Sequence, residues 1–171
     1  LPFTIDYYVG GKVQHQAVTM TEATQAFTMP LAAKPELVNV DANKKTLWMK
    51  VDNKPMADFA YQYAHAPLYV DRREAVGAAA NEQTTNAAAR NVLLAGLADK
   101  FYGIRIASLQ ALKLDDKAVA KAVAAALRKR TTIEKDPLVL PTLLNTMAQL
   151  KDKKDEKFFV QQLNSPSYNV Q

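Results

Sequence analysis

Alanine is spread unevenly along this chain of 171 residues, and no other feature limits its fold as much. The chain holds 28 Ala, and only 6 of them precede Lys54. The part before Lys54 is rich in Val, Thr, Tyr and Phe instead. β-branched and aromatic residues fit a pleated, half-buried surface, whereas Ala has the lowest cost in a helix. The change near Asn53-Lys54-Pro55 therefore predicts a β domain over residues 1–53 and an α domain over residues 54–171.

The β part reads as five short strands. Phe3 to Val9 alternates, with Phe3, Ile5 and Tyr7 on one face. Gly10-Gly11 supplies the positive φ of a tight hairpin turn, and Val13 to Met20 returns. Thr24 to Leu31, Glu36 to Val40 and Thr46 to Val51 complete the set, with turns at Lys34-Pro35 and Asp41 to Lys44. Strands at this spacing predict a small antiparallel sandwich, and five strands make it a partial one.

The α part reads as short amphipathic helices, each with punctuation. Asn53 is placed to cap the first, which presents Met56, Phe59, Ala60 and Tyr63 and ends at Pro67. Asp71 and Glu74 have capping-box spacing. Thr84 or Thr85 opens a helix carrying Ala89, Val92, Leu93 and Leu97, and Gly103 precedes another with Ile104, Ala107, Leu109 and Leu112. Asp115 or Asp116 opens the next, where Val119, Ala122, Val123, Ala126 and Leu127 recur at helical intervals. Asp136-Pro137 precedes Leu140, Leu143, Leu144 and Met147; Asp155 starts a helix through Phe159 and Leu163; Ser165-Pro166 begins one more. The helices come in pairs. Arg73 maps onto Arg105 at a shift of 32, Arg105 onto Leu140 at 35, and Leu140 onto Gln171 at 31. A loose period in the low thirties with two helices per repeat predicts an α-solenoid. The expected fold is thus α+β: a partial sandwich followed by HEAT-like helical hairpins. Opening on Leu1 and closing inside a helix start reads as a piece of a longer chain.

The composition closes off several chemistries. With no Cys there is neither a disulfide nor a thiolate ligand. The 22 Lys and Arg against 17 Asp and Glu give a net charge of +5, mixed in sign. No apolar run approaches the roughly 18 residues that span a bilayer, and Leu1-Pro2-Phe3-Thr4 has no signal-peptide character. Localisation is left open between cytoplasmic and extracytoplasmic.

The candidate reactive groups are sparse. His15 in a strand and His65 near a helix end do not make an H-E-x-x-H zinc motif. Ser108, Ser165 and Ser167 lack a nucleophile elbow, and Ser165 fits an N-cap. Gly10-Gly11 suits a hairpin better than a phosphate loop. Arg128-Lys129-Arg130 closes a helix, and Lys151 to Lys157 is interleaved with Asp152, Asp155 and Glu156, so neither reads as a nucleic-acid patch. Arg72, Arg73 and Arg105 suit bridges between neighbouring repeats, through an Asp or a carbonyl, because Arg offers a rigid fork of donors. Tyr61, Tyr63 and Tyr69 suit packing. No catalytic, cofactor-binding or metal-binding residue is assigned.

The order of these features resembles a known family. His15 to Met20, Thr24 to Met29, and Lys34-Pro35-Glu36-Leu37-Val38-Asn39-Val40-Asp41 are similar to the β-sandwich that follows the catalytic domain of aminopeptidase N-type zinc metallopeptidases, the gluzincins. There, a strand ending in Gln-x-Phe precedes P-x-x-V-x-x-D and then a Leu-Trp strand, filled here by Leu47-Trp48. Asp71-Arg72-Arg73-Glu74-Ala75 resembles the Arg-containing helix that comes next. Tyr102-Gly103-Ile104-Arg105 and Ser167-Tyr168-Asn169-Val170 resemble starts of HEAT-like repeats. The resemblance covers nearly the whole chain. It implies a non-catalytic C-terminal segment, with zinc, its ligands and the general base upstream in the parent protein. The implied partners are that upstream catalytic domain and the parent's peptide substrates. The alternative is a protein-binding scaffold from a non-enzymatic relative with the same layout. Neither nucleic acid nor a membrane span is expected, and an unpaired sheet edge predicts edge-strand dimerisation.

Overall fold

The turn at Gly10-Gly11 forms as its residues require. Gly10 has φ +56° and Gly11 φ +74°, the left-handed pair of a two-residue hairpin. In the computed structural model, which describes residues 1–168 and Val170, this turn joins β1 (Pro2–Val9) to β2 (Lys12–Thr19). The pairing is antiparallel from Pro2 opposite Thr19 to Val9 opposite Lys12. β3 (Leu37–Val40) lies antiparallel on the other side of β1, so the sheet order is β2-β1-β3. Seven helices follow: α1 (Met56–His65), α2 (Tyr69–Glu82), α3 (Ala87–Gly96), α4 (Tyr102–Ala111), α5 (Lys117–Ile133), α6 (Leu140–Gln149) and α7 (Glu156–Gln162), the last preceded by a 3-10 turn at Lys153–Asp155. The fold is α+β.

The chain divides into two compact units, residues 1–74 and 75–171. Strand gives way to helix near residue 54, where the Ala content changes. The compact division falls later, inside α2, because α1 packs on β3 and so belongs with the sheet.

In residues 1–74, Phe3, Ile5 and Tyr7 form the core of one sheet face. Phe27, Met29, Leu31 and Trp48 pack against it half-buried. The Phe27 ring meets Phe3 edge-on at 5.7 Å, and Trp48 stands 5.1 Å from it. The opposite face carries Tyr8, Leu37 and Asn39, all buried, with Tyr8 edge-on to Tyr61 of α1 at 5.8 Å.

Two expected strands do not form. Residues 24–31 lie over the core without a ladder, broken by Pro30, which has no N–H to give. Side-chain amides tie them to β2: Gln16 donates to the Thr28 carbonyl at 3.3 Å and Gln25 to the Thr19 carbonyl at 3.5 Å. Residues 46–51 keep a period of two, with Trp48 and Lys50 turned inward and Leu47, Met49 and Val51 outward, yet no backbone partner among the described residues completes a strand.

In residues 75–171, α3 packs on α4 and α5, and α6 packs on α4 and α5. Val92, Leu93, Ile104, Leu109, Val119, Val123, Leu127, Leu143 and Met147 are buried between them. Burying each such side chain is worth about 1.5–3 kcal/mol before entropy is set against it. Gly96 marks a close crossing: a Cβ there would sit 1.9 Å from the Ser108 hydroxyl.

The helix starts differ from the expected ones in several places. Asn53 does not cap α1; Pro55 stands at that position, with no side-chain cap. Asp71 does not cap with Glu74 as its box partner, because α2 begins at Tyr69; Asp71 instead reaches back to accept from Leu68 N–H at 3.3 Å, and Lys44 and Lys50 pair with Asp71 and Glu74. Asn86, not Thr84 or Thr85, caps α3, accepting from Ala88 N–H at 2.9 Å. α4 includes Gly103, since Tyr102 already lies in it. Asp116 caps α5 as expected, accepting from Ala118 and Val119 N–H. Asp136 accepts from Leu138 N–H at 3.0 Å and starts the turn before α6. Asp152 caps the 3-10 turn, in place of Asp155. Gln171, the end of the repeat mapping, and Asn169, in the last repeat start, lie outside the described residues.

Candidate functional site

Residues 39–54 put three lysines and their counter-ions into one cluster, which the sequence pattern does not announce. Asp41 has φ +52° and Lys44 φ +49°, so the chain turns sharply after β3. The Asp41 carboxylate closes this turn by accepting from Lys45 N–H at 3.1 Å, Thr46 N–H at 3.2 Å and the Thr46 hydroxyl. Burial works against the Asp41 charge, but these donors outweigh it and hold its pKa below the ordinary carboxylate value.

The turn aims Lys44 at Asp71 (2.8 Å) and Glu74 (3.2 Å). Lys50 reaches Glu74 (2.9 Å), Asp52 (3.2 Å) and the Val40 carbonyl (3.2 Å). Lys54 meets Asp52 at 3.0 Å, donates to the Gln62 side chain, and stands 4.7 Å from the Phe59 ring centre. Gln62, fully buried in α1, donates to the Asp71 carbonyl and to Glu74. Asn39 donates to Asp71 at 3.0 Å. A pocket of about 220 Å³ opens over Thr46, Trp48, Lys50 and Glu74.

The electrostatics are those of a closed network. Burial opposes the Lys44 charge, and the Asp71 hydrogen bond with the Asp71 and Glu74 charges outweighs it, so its pKa is raised. Burial likewise opposes Asp52, but two ammonium groups flank it and its pKa falls. Lys54 has to share Asp52 with Lys50, so burial prevails and its pKa is lowered. No nucleophile in the cluster stands beside a free base. The arrangement fastens residues 39–54 to α1 and the first turn of α2.

The sequence candidates are scattered. His15 Nδ1 stands 2.6 Å from the buried Asp6 carboxylate, an oriented imidazole, but among the described residues its other ring nitrogen meets no hydroxyl. His65 stacks on Tyr61 at 3.9 Å and bonds through Nδ1 to the Tyr61 carbonyl. The resemblance places zinc upstream in the parent chain. Here the two imidazoles are each engaged elsewhere, and no group of three His, Asp or Glu side chains able to hold a metal ion occurs among the described residues, which do not fit a zinc ion.

Arg73 donates to the Tyr69 hydroxyl at 3.1 Å and Arg72 to the Pro67 carbonyl at 3.4 Å, both within their own turn. Arg105 takes the bridging role expected of it. Its fork grips Glu134 at 2.9 and 3.2 Å and Asp136 at 3.2 Å, while Nη1 donates to the Asp99 and Lys100 carbonyls. Burial raises the cost of charge on Glu134, yet the Asp136 N–H and the Arg105 and Arg130 donors hold its pKa low. Arg128 repeats the device, gripping Asp155 at 2.8 and 3.0 Å and Asp152 at 2.7 Å. Arg130 pairs with Glu134, so two members of the basic run 128–130 are spent on structure. Ser165 accepts from Ser167 N–H, a local turn. Ser108 is buried, and its hydroxyl has no partner among the described residues. Gln83 was not singled out by the sequence, yet it ties the end of α2 to the end of α4: it donates to the Ala111 carbonyl at 2.7 Å and accepts from Lys113 N–H.

Two shallow pockets, of about 350 and 580 Å³, flank α6 and α7 and share Ala148 and Phe159. None of the helices among the described residues is long and apolar enough to cross a membrane. Compared with known proteins, the chain is matched by no family model, no curated protein and no solved structure.

Proposed function

We propose that this chain is a non-catalytic segment of an aminopeptidase N-like zinc metallopeptidase. Its helices stack as HEAT-like hairpins after a sandwich-like β layer in the chain and shape the access of peptides to an active site upstream in the parent chain. The family rests on the resemblance of the runs from His15 to Asp41 and from Asp71 to Ala75. The observation that carries the mechanical role is the Arg105 fork, which reaches from α4 to Glu134 and Asp136 before α6. Contacts of α3 with α5 and of α4 with α6, beside those within each pair, are what stacked hairpins make. The ionised side chains in both units tie elements together, as a wall requires.

The test has two arms. The chain alone, with added zinc, is assayed on leucine p-nitroanilide and is expected to give no turnover; hydrolysis above the zinc blank refutes a non-catalytic role. The coding sequence upstream is expected to carry H-E-x-x-H, and its absence removes the peptidase. The exposed apolar side chains of Val160 on α7 and Leu163 just after it favour a second reading, a protein-binding scaffold. An upstream region without the zinc motif selects that reading.

A further inference from the structure

We propose that residues 46–52 form the self-association edge of this protein, pairing antiparallel with the same segment of a second copy about Met49. The inference does not depend on the peptidase reading.

Three observations place it. Leu47 is 107% exposed, Met49 98% and Val51 83%, a row of apolar side chains at strand spacing with nothing over it. The alternate residues Trp48 and Lys50 are anchored, one on Phe3 and one on Glu74, so the facing of the segment is set before any partner arrives, and pairing has only to straighten the bend at Trp48. No backbone N–H or C=O of residues 47–51 is used by another described residue.

The segment's own pattern selects a second copy. Antiparallel pairing about Met49 sets Leu47 opposite Val51 and Met49 opposite Met49, apolar pairs on one face. It sets Thr46 opposite Asp52, Trp48 opposite Lys50 and Lys45 opposite Asn53, so no like charges meet. Residues 1–74 hold eight Lys and Arg and eight Asp and Glu, so two such units carry no net repulsion; the whole excess of 5 lies in residues 75–171. Natural edges are guarded by an outward lysine or a proline. Here Lys50 is turned inward to Glu74, and no proline falls within residues 46–54. A single strand pair buries much less than the roughly 1,200 Å² of a stable interface, so the dimer is weak and appears at high concentration.

The chain lacks Cys, which makes the register directly readable. Sedimentation across a concentration series is expected to show a monomer–dimer equilibrium, weakened at least tenfold by Met49→Lys with circular dichroism unchanged. Met49→Cys is expected to cross-link to itself on oxidation, since the paired Cα atoms fall within disulfide reach of about 4.4–6.8 Å. Leu47→Cys is not, because its copies lie about 13 Å apart at 3.3 Å per residue. A mixture of Leu47→Cys and Val51→Cys chains is expected to form the heterodimer. A monomer at every concentration overturns the proposal. So does a dimer indifferent to Met49→Lys, which places the contact elsewhere, for instance on the open edge of β2. Equal cross-linking at 47 and 49 overturns the register.

Discussion

Residues 1–74 and residues 75–171 both bury ionised side chains, but they hold them differently. In the first unit three lysines share Asp52, Asp71, Glu74 and Gln62; Asp52 and Glu74 each serve two lysines, and Asp71 serves Lys44. In the second, single arginine forks do the holding: Arg105 meets Glu134, Asp136 and two carbonyls, and Arg128 meets Asp155 and Asp152. An ammonium is a compact point charge that needs several partners, whereas guanidinium is planar and presents five donors to a matching carboxylate. The lysine net is distributed and the arginine clamp concentrated, so they should fail differently.

The largest effect expected is at the clamp. Arg105→Ala leaves Glu134, 2% exposed at its side chain, with Arg130 as its remaining cation. Breaking a buried pair from one side costs about 3–5 kcal/mol when the remaining charge has no other partner, so Arg130 places the expected loss toward the low end of that range. Thermal and urea unfolding are expected to show that loss, and Arg105→Met with Glu134→Leu should recover only part of it, because Arg130 then loses its own partner. If Arg105→Ala costs less than about 1 kcal/mol, Arg105 is no more than a surface ion pair. In the net, Glu74→Gln keeps the shape and removes one shared charge. Its expected cost is smaller, about 1–3 kcal/mol, because Asp71 still faces Lys44 and Asp52 still faces Lys50.

The two devices also separate by pH. The pKa values of Glu134, Asp41 and Asp52 are lowered on folding, so their stabilisation is present above the ordinary carboxylate pKa, near pH 4, and is lost as pH falls through the lower folded values. Lys44 is raised, so its contribution is present below its ordinary pKa of 10.5 and is lost as pH climbs through the higher folded one. Unfolding scans are expected to show an acid loss that Glu134→Gln blunts and an alkaline loss that Lys44→Met reduces, the rest coming from Tyr7 and Tyr8, whose pKa values burial raises. An alkaline limb unchanged in Lys44→Met breaks the contrast.

The crossing of α3 and α4 sharpens it with apolar packing. Gly96→Ala forces a Cβ into Ser108 and is expected to cost about 1–3 kcal/mol. Ser108→Ala removes a buried hydroxyl without a partner and is expected to be neutral or stabilising, measured by the same unfolding curves.

What could be read in advance followed periodicity. The buried stripe Val119, Val123 and Leu127 and the hairpin at Gly10-Gly11 obey local rules of spacing and φ, which a sequence displays. Arg105 was legible as a bridge because its side chain has few other satisfied uses. The lysine net was not. Lys44, Lys50 and Lys54 are separated by irregular intervals and look like solvated surface, and only the turn at Asp41 brings them onto α1 and α2. Asp71 and Glu74 have the spacing of a capping box, but α2 starts earlier, at Tyr69, so Asp71 lies in the first turn and reaches back to Leu68 N–H while its other oxygen meets Lys44. The row from Thr46 to Val51 was legible in its facing but not in its pairing, because alternation reports burial and says nothing about a neighbouring strand.

Cap chemistry supplies the smallest and sharpest contrast. Asn53 and Asn86 each precede a helix, and composition cannot separate them. Asn86 accepts from Ala88 N–H at 2.9 Å, whereas α1 starts behind Pro55, which has no side-chain oxygen to offer. Asn86→Ala is expected to cost about 1 kcal/mol, the usual value for losing an N-cap acceptor. Asn53→Ala is expected to stay within about 0.5 kcal/mol of the parent, as for an exposed residue with no such feature. Equal losses in chemical denaturation would mean that Asn53 caps α1 after all, and the Pro55 start would be wrong.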